Sequence, residues 1–378
     1  MKGIMNLIKS AIVVIFSSLL AIKSIDAFWG YLSGNLVLSD ISLSNQRSIQ
    51  LREYDPNQIV SVLAGSEYFK RPSLFEPQKI KLNIDQNGFI STGNEITYPA
   101  DSDVLSILFT GGSTTETLYI QELSRFPSVV ERRLADKLVS KVRVINAGVS
   151  GNHSIHSLIN LIGKGIELDL DYAVWMHNIN DMAVLTKTGS YWLAPLSRSI
   201  VQSKNFDRKL SLMTTFRVLK NFFMPNLYVY LKPRLFPSVG PLADEFERVG
   251  SPWNQINKGE LAQQFKSSTT SFVVLCRTWG IEPILMTQFN RIDRNDSAFQ
   301  FWYENIKDRG LSQTEFIELY DQFNEIIRQV AVENNVFLID LAVLVPSTSR
   351  YIYDVVHLNE EGSLLVGDLF AKEFLKQF

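Results

Sequence analysis

The amino-acid sequence predicts an α/β protein in which a five-stranded parallel sheet is covered by helices on both faces. From about residue 101 onwards, short apolar runs alternate with longer amphipathic stretches. This alternation is typical of parallel strands joined by helical crossovers. The chain has 378 residues, 46% of them hydrophobic and 20% charged, which is the composition of a globular protein. The sequence therefore offers enough apolar material to bury both faces of such a sheet.

The N-terminal segment is apolar and begins with positive charge. Lys2 and Lys9 lie at the start of a stretch over residues 4–22, and about 19 residues are enough to span a bilayer as a helix. We predict that residues 1–27 form an uncleaved membrane anchor. The alternatives are a signal peptide cleaved near Ala27 and a buried soluble helix. The lysines favour an N-terminus inside the cytoplasm, so the rest of the chain would be periplasmic or at the cell surface.

Residues 28–100 are predicted to form a stalk and an extension that packs on the catalytic domain. Alternating residues over 80–84 indicate a half-buried strand. Asn87 and Gly88 are a typical turn pair and would close a hairpin with residues 89–90.

The domain predicted over residues 101–378 contains the alternating elements. The predicted strands are residues 104–109, 142–145, 172–176, 281–286 and 336–340. The predicted helices are residues 125–139, 154–166, 260–279, 314–334 and 360–378. Ligand sites in such sheets lie beyond the carboxyl ends of the strands.

An insertion over residues 184–258 interrupts this alternation. Its length is unusual for a compact domain. Extra helices packed on the core, a lid, a substrate wall and a membrane-leaning surface are all compatible with its composition. Basic residues are interspersed in it: Arg198, Lys204, Arg208, Lys209, Arg217, Lys220, Lys232 and Arg234.

Three short motifs fall in order at predicted strand ends or in loops that reach the same edge. They are Gly-Gly-Ser-Thr-Thr at 111–115, Asn-Ile-Asn-Asp at 178–181 and Asp-Val-Val-His-Leu-Asn at 354–359. Together they supply a hydroxyl nucleophile, an amide donor and an Asp/His pair. Those are the groups that acyl transfer through a serine ester requires.

Ser113 and His357 are the predicted nucleophile and base. Ser113 follows a buried strand and two glycines, which allow a tight turn and a close backbone approach. Taken alone, this motif also fits a phosphate-binding nest or a simple loop. Asp354 precedes His357 by three residues, a spacing that lets both side chains face one centre. Asp354 would orient the imidazole while His357 moves the serine proton.

Three groups are candidates for an oxyanion hole. The amide of Asn180 follows the third predicted strand, and Asp181 beside it would hold that loop. The loop after the second strand offers the N–H of Gly151, and the N–H of Ser113 completes the set. Read alone, Asn180 fits a simple turn asparagine better than an oxyanion donor.

Taken together, these motifs resemble those of the SGNH/GDSL esterases and acyltransferases over roughly residues 104–378. The resemblance implies a flavodoxin-like three-layer α/β/α sandwich with a central five-stranded parallel sheet. It also implies roles for the residues that match the family's blocks: Ser113 as nucleophile, Gly151 and Asn180 as oxyanion donors, Asp354 as orienting acid and His357 as base.

Two positions depart from the family's usual pattern. Gly112 stands where the family has an aspartate, and Asn178 stands where the third block has a glycine. The first change is familiar among bacterial surface-polysaccharide members, which often carry an N-terminal anchor.

The other ionisable groups have less specific interpretations. His153 and His156 would line the cleft or serve as surface or capping residues, and His177 would support the Asn178 loop from behind. Arg291 and Arg294 would meet an anionic sugar or phosphate, or lie in a solvated loop.

No cofactor or metal ion is expected, because no cluster has metal-ligand spacing and a serine mechanism requires none. Cys276, the single cysteine, is predicted to be an inert core thiol, and it excludes an intramolecular disulfide. The net charge of −2 argues against a nucleic-acid partner.

The sequence predicts an extracytoplasmic serine esterase that acts on O-acetyl or other short acyl groups of carbohydrate. The same triad would serve a polysaccharide O-acyltransferase, for which a membrane acyl-donor protein would be a partner. A non-catalytic polysaccharide-binding or scaffold protein with the same fold is the third alternative. The expected partners are thus an acyl-ester or carbohydrate substrate and the membrane.

Overall fold

The computed structural model describes residues 2–32, 50–64, 78–93, 104–194, 198–202, 223–224, 226–227, 257–305 and 311–377. The chain divides into two compact units. The first comprises residues 1–48 with 203–239, and the second comprises residues 49–202 with 240–378.

The first unit contains helix α1 (Lys2–Leu32). Asp26 on this helix is fully buried and accepts hydrogen bonds from the backbone N–H of Asn226 (2.9 Å) and of Leu227 (2.6 Å). The Asn226 side-chain amide donates a third bond to Asp26 at 2.8 Å. Within the described residues, no helix combines the length and the apolar character that crossing a membrane requires. The helix predicted at the N-terminus is thus present, but its membrane-spanning character finds no support there.

The second unit contains the remaining described elements. Its strands are β1 (Gln50–Leu51), β2 (Ile59–Ala64), β3 (Gln78–Asn83), β4 (Val104–Gly111), β5 (Lys141–Asn146), β6 (Tyr172–Met176), β7 (Val201–Gln202), β8 (Glu282–Met286) and β9 (Phe337–Ile339). Its helices are α2 (Ser113–Glu116), α3 (Phe126–Ala135), α4 (Ser154–Gly163), α5 (Ile179–Thr188), α6 (Lys258–Thr278), α7 (Ser297–Asn305), α8 (Gln313–Asn334), α9 (Leu341–Leu344) and α10 (Glu360–Gln377). Short 3₁₀ helices cover Glu122–Ser124, Gly165–Glu167 and Tyr191–Leu193.

Five parallel strands form the central sheet, in the order β5-β4-β6-β8-β9. Successive side chains of a strand point to opposite faces. In β4, Ile107 and Phe109 therefore enter one core, and Leu108 between them enters the other. The predicted five-stranded parallel sheet is confirmed.

Helices cover both faces of the sheet. On one face, α4, α5, α6 and α8 bury a large apolar cluster in which the rings of Phe265 and Phe323 stack at 4.4 Å. On the other face, α3 and α10 pack on the sheet, and the ring of Phe126 meets Phe109 edge-on at 5.4 Å. The predicted three-layer α/β/α sandwich is confirmed. Cys276 lies fully buried in α6, where burial raises the pKa of its thiol to about 12, as expected of an inert core cysteine.

The segment that precedes the sheet in the chain packs against it within the same unit. Strands β2 and β3 form an antiparallel pair. The predicted turn at Asn87 and Gly88 is present: the N–H of Asp85 donates to the carbonyl of Phe89 at 2.9 Å, and Gly88 has a φ of +82°. The N–H of Ile90 then donates to the carbonyl of Asn146, at the end of β5. This contact ties the hairpin to the edge of the sheet that carries the motifs.

Several helices depart from the sequence prediction, among them the short α2 and α9 and the longer α5 and α7. Helix α5 begins at Ile179, inside the Asn-Ile-Asn-Asp motif, and it continues to Thr188. Its last residues thus overlap the segment 184–258 that the sequence analysis describes as an insertion. Helix α7 was also not expected from the sequence. Most of residues 184–258, and with them the hypothesis of a lid, lie outside the described residues.

Candidate active site

The turn that carries Ser113 is packed too tightly for side chains at the two positions before it. Strand β4 ends at Gly111, and Ser113 is the first residue of α2. A Cβ atom on Gly111 would lie 2.9 Å from the carbonyl oxygen of Met176, and one on Gly112 would lie 2.1 Å from Nδ2 of Asn180. Gly112 has a φ of −97°, so the turn requires the close approach that glycine permits rather than a left-handed backbone.

Ser113, His357 and Asp354 form a continuous hydrogen-bonded chain. Nε2 of His357 lies 2.8 Å from Oγ of Ser113, and Nδ1 lies 2.7 Å from Oδ2 of Asp354. Oδ1 of Asp354 accepts from the backbone N–H of Val356 (2.9 Å) and of His357 (2.7 Å). Burial raises the pKa of the Asp354 carboxyl, but the adjacent His357 and these hydrogen bonds outweigh it and leave the pKa lowered. An ionised carboxylate only accepts hydrogen bonds, so Nδ1 must carry the proton and Nε2 faces the serine hydroxyl as an acceptor.

The loop that carries Asp354 and His357 is a short hairpin, and Arg291 from the loop after β8 holds it in place. Ile352 and Leu358 form an antiparallel bridge, and the N–H of Tyr353 donates to the carbonyl of His357 at 2.9 Å. Arg291 donates through its guanidinium to the carbonyl of Ile352 (2.8 Å) and through its backbone N–H to that of Val355 (2.7 Å).

Arg291 is thus buried and structural, contrary to the expectation of a solvated loop or an anion contact. Its guanidinium also pairs with Asp296 at 2.6 Å. Arg294 is exposed and bonds to Thr314.

Two of the predicted oxyanion donors lie on neighbouring segments, Gly151 in the turn that precedes α4 and Asn180 in the first turn of α5. The N–H of Asn152 donates to the carbonyl of Val149 at 2.9 Å, and Gly151 in this turn has a φ of +79°, a left-handed conformation that favours glycine. The amide nitrogen of Asn180 donates to the carbonyl of Asn152 at 2.9 Å. Because Gly112 faces both that nitrogen and that carbonyl, the loop of Gly151 and the amide of Asn180 lie against the Ser113 turn.

Asp181 was expected to hold a loop beside Asn180, but both residues lie in the first turn of α5, which Asp181 ties to the start of α4. Its Oδ1 accepts from the backbone N–H of Ser154 (2.9 Å) and from the hydroxyl of Tyr191 (2.6 Å). Burial raises the pKa of Asp181 to about 6. His177 lies behind it, 3.5 Å from its Oδ2, and bonds to the Ser157 hydroxyl at 2.7 Å. Burial and then the proximity of His156 lower the pKa of His177 to about 3, so it supports the loop as a neutral ring.

His153 and His156 begin helix α4. Nδ1 of His156 accepts from the backbone N–H of His153 at 3.2 Å, so the predicted capping role is confirmed. Both rings are buried, and a surface position is therefore excluded. Burial, and after it the charge of Arg52, lowers the pKa of His156 to about 3.

One buried carboxyl beside the nucleophile was not recognised in the sequence. Glu116 ends α2 and is fully buried, and its two oxygens accept from the hydroxyls of Tyr54 and Ser150. Burial raises the pKa of Glu116. Ser150 directly precedes Gly151, so Glu116 links the nucleophile helix to the loop of an expected oxyanion donor. No local pattern marks this residue, because its partners are distant in sequence.

Gln288 is a second residue that the sequence did not reveal. It follows β8 and is buried. Its Nε2 donates to the hydroxyl of Thr114 at 2.9 Å, and its Oε1 accepts from the backbone N–H of Ile179 at 3.0 Å. Gln288 thereby links Thr114, which follows the nucleophile Ser113, to Ile179, which precedes Asn180.

Asn178 lies in the same polar network. Its amide donates to the carbonyl of Tyr320 (2.9 Å) and to Oδ1 of Asn324 (3.1 Å) on α8. The Asn178 side chain thus fastens the start of α5 to a neighbouring helix. Among the residues that the structure describes, no group of three or more His, Cys, Asp or Glu side chains is placed to hold a metal ion.

Comparison with known proteins gives distant structural similarity alone. The chain matches no protein-family profile and no curated protein. An acetylxylan esterase from Geobacillus stearothermophilus is 16% identical at a TM-score of 0.40, over 73% of this chain and 96% of that one. A lipase/acylhydrolase from Enterococcus faecalis is 16% identical at a TM-score of 0.41, over 72% of this chain and 96% of that one. LAE5, an α/β hydrolase from the metagenome of Lake Arreo, Spain, is 15% identical at a TM-score of 0.38, over 73% of this chain and 95% of that one. At these values the similarity carries no statement about activity.

Proposed function

We propose that this protein is a serine esterase of the SGNH/GDSL type. The observation that carries the proposal is the unbroken chain from Oγ of Ser113 through His357 to Asp354, with distances of 2.8 and 2.7 Å. Nucleophile, base and orienting acid are in hydrogen-bond contact, which is the arrangement that activates a serine hydroxyl.

The proposed reaction has two halves. Oγ of Ser113 bonds to the ester carbonyl carbon while its proton passes to Nε2 of His357. The resulting oxyanion is bound by the N–H groups of Ser113 and Gly151 and by the amide of Asn180. The bond to the leaving alcohol then breaks, and His357 returns the proton to that oxygen.

Water completes the cycle. It attacks the acyl-enzyme carbonyl and gives a proton to His357. The bond between Ser113 and the acyl carbon then breaks, the acid leaves, and the proton returns to Oγ. Asp354 stabilises the imidazolium in both halves, and its lowered pKa keeps it ionised for that task.

The substrate is proposed to be an O-acetyl or other short acyl ester of a carbohydrate. This choice rests on the family resemblance of the motifs and on the glycine at position 112. If a sugar hydroxyl replaced water in the second half, the same groups would make the protein a polysaccharide O-acyltransferase. A non-catalytic binding protein is the alternative that the intact hydrogen-bonded chain disfavours.

An extracytoplasmic location is part of the proposal and rests on the sequence. Lysines flank the start of an apolar helix, α1, and several of its large side chains are exposed, among them Phe16, Leu20 and Phe28. Fractionation of cells that express the full chain tests this. Recovery of the catalytic domain in the cytoplasm, protected from external protease after outer-layer permeabilisation, would contradict it.

The activity is tested by hydrolysis of p-nitrophenyl acetate by the full chain. Ser113→Ala and His357→Ala are expected to abolish turnover, because each removes a group that takes part in bond formation or proton transfer. Ser271→Ala is the matched control, since Ser271 is an exposed serine on α6. Turnover that survives in Ser113→Ala would overturn the serine mechanism.

The acceptor is identified in the same assay. Adding an oligosaccharide acceptor distinguishes the two enzymes: acyl-sugar formed at the expense of free acid indicates transfer, whereas unchanged acid release indicates hydrolysis.

A further inference from the structure

The guanidinium group of Arg198 contacts two residues that carry expected oxyanion donors, Gly151 and Asn180. Nη1 of Arg198 donates to the carbonyl of Gly151 and also lies 3.3 Å from Oδ1 of Asn180. Arg198 is buried, with 6% of its surface exposed. It belongs to the segment whose basic residues the sequence left without a role.

The short pairing of β7 with β1 explains how Arg198 reaches this place. Leu51 pairs with Val201 and Gln50 with Gln202, so the residues flanking both strands lie side by side. The carbonyl of Ser199 bonds to the ring of His156 at 3.2 Å and ties the segment to α4. Arg52, directly after β1, donates from a second guanidinium to the same Gly151 carbonyl at 3.0 Å.

The contact with Asn180 fixes which way its side-chain amide points. Arginine only donates hydrogen bonds, so the atom that faces it must be the oxygen Oδ1. On the other side the carbonyl of Asn152 only accepts, so the atom that faces it must be the nitrogen. Arg198 and Asn152 therefore hold the amide from both ends, and its nitrogen lies against Gly112 in the turn that precedes Ser113.

The contact with Gly151 acts on the second donor in the same way. The Gly151 carbonyl belongs to the turn whose left-handed φ of +79° sets the direction of the Gly151 N–H. Anchoring that carbonyl on a guanidinium fixes the turn.

We propose that Arg198 is a positioning residue of the oxyanion hole, holding the Asn180 amide and the Gly151 turn in the orientation that binds the transition-state oxyanion. This rests on the proposed esterase function and goes beyond it, because the contacts described for Arg198 are with the Gly151 turn and the Asn180 amide. Preorganised donors lower the barrier because they need no reorganisation as the charge forms. Arg198 thus contributes to kcat rather than to substrate affinity.

The test replaces Arg198 with methionine and with lysine. Losing an oxyanion donor outright lowers kcat on the order of 10²–10³-fold. Arg198→Met loosens two donors without removing either, so we expect kcat to fall by about 10-fold or more. KM should stay nearly unchanged. Arg198→Lys keeps one charged donor and should recover part of the loss. In an Asn180→Ala background the effect of Arg198→Met should shrink, because one of its two targets is gone.

Two controls separate positioning from folding. Arg133→Met removes an arginine that is exposed on α3 and pairs with Asp368, and it should leave kcat unchanged. Each kcat is expressed per active serine, counted by complete labelling of Ser113 with a fluorophosphonate, and thermal melting reports the stability of every variant. A loss of active serines with normal kcat in those that remain would show a merely structural role and overturn the proposal.

The outcomes also separate this proposal from the esterase function. Turnover that depends on Ser113 but is equal in wild type and Arg198→Met overturns the role of Arg198 and leaves the esterase intact. If the wild type hydrolyses nothing, the esterase proposal fails. The role of Arg198 is then tested by the rate at which the fluorophosphonate labels Ser113. Labelling that slows in Arg198→Met supports the role of Arg198, and equal labelling overturns it. Absence of labelling in wild type overturns both.

Discussion

At the scale of single residues, position 112 shows why this chain departs from the motif it resembles. A Cβ atom on Gly112 would lie 2.1 Å from the Asn180 amide nitrogen and 2.9 Å from the carbonyl of Asn152. The Asn180 nitrogen donates to that carbonyl at 2.9 Å, and the amide oxygen of the same side chain accepts from Arg198. The space that an aspartate side chain would need is filled by the expected oxyanion donor itself.

Restoring the family's usual aspartate is therefore expected to harm the enzyme. Gly112→Asp should lower kcat by at least about 10-fold, since the side chain displaces one donor. Overpacking should also lower the free energy of unfolding by about 1–3 kcal/mol. Steady-state kinetics and urea denaturation measure the two effects. The matched control is Gly163→Ala, where the nearest atom to an added Cβ is 3.8 Å away. Full activity of Gly112→Asp would contradict the packing described for this turn.

The residues that sequence reasoning could find are those whose partners lie nearby in the chain or recur in a known motif. Asp354 and His357 are three residues apart, and Ser113 sits in a recognisable turn. Glu116 and Gln288 bond to residues far away in sequence. Their roles become visible only when the fold brings those partners together.

At the scale of elements, Gln288 joins three parts of the site. It connects the loop after β8 to α2 through Thr114 and to the start of α5 through Ile179. Its own backbone is held by Asn324 of α8, whose amide donates to the Gln288 carbonyl at 3.0 Å. The Gln288 side chain thus holds α2 and the start of α5 in a fixed position relative to each other.

Gln288→Ala should uncouple these elements. It leaves the buried hydroxyl of Thr114 and the buried N–H of Ile179 without their partner, and the free energy of unfolding should fall by about 2 kcal/mol or more. We also expect kcat to fall, because both helices carry candidate catalytic groups. Denaturant titration and kinetics measure these changes. Gln263→Ala, on the exposed face of α6, should alter stability by less than about 0.5 kcal/mol. Equal effects of the two substitutions would contradict a linking role for Gln288.

The same contact explains why helix α5 escaped the sequence prediction. A helix start is usually recognised by a local capping side chain, but Asn178 makes no capping bond to α5. The first N–H, that of Ile179, is satisfied instead by Gln288, which lies 109 residues further along the chain. The central strands β4, β6 and β8 were predictable because their buried apolar runs are local signals.

At the scale of the whole molecule, the second unit buries ionisable groups that couple its stability to pH. Asp181 is fully buried, and its pKa is about 6 in the folded protein against about 3.9 in an unfolded chain. Because burial raises this pKa, the contribution of Asp181 is most favourable below about pH 4 and is lost as the pH rises through 6. His177 acts in the opposite direction, since its lowered pKa removes stability as the pH falls below about 6.5.

Asp181→Asn isolates the first of these effects. The asparagine oxygen can keep the bonds from Ser154 and Tyr191, and the side chain no longer ionises. Relative to wild type, the free energy of unfolding of Asp181→Asn should increase between pH 4 and pH 7.5 by up to about 3 kcal/mol, which corresponds to two pKa units. The measurement is urea denaturation of both proteins across this range, taken as a difference so that His177, common to both, largely cancels. A difference that stays flat, or that decreases with rising pH, would show that Asp181 is not held in the buried, charge-disfavouring environment on which the Asn180 loop depends.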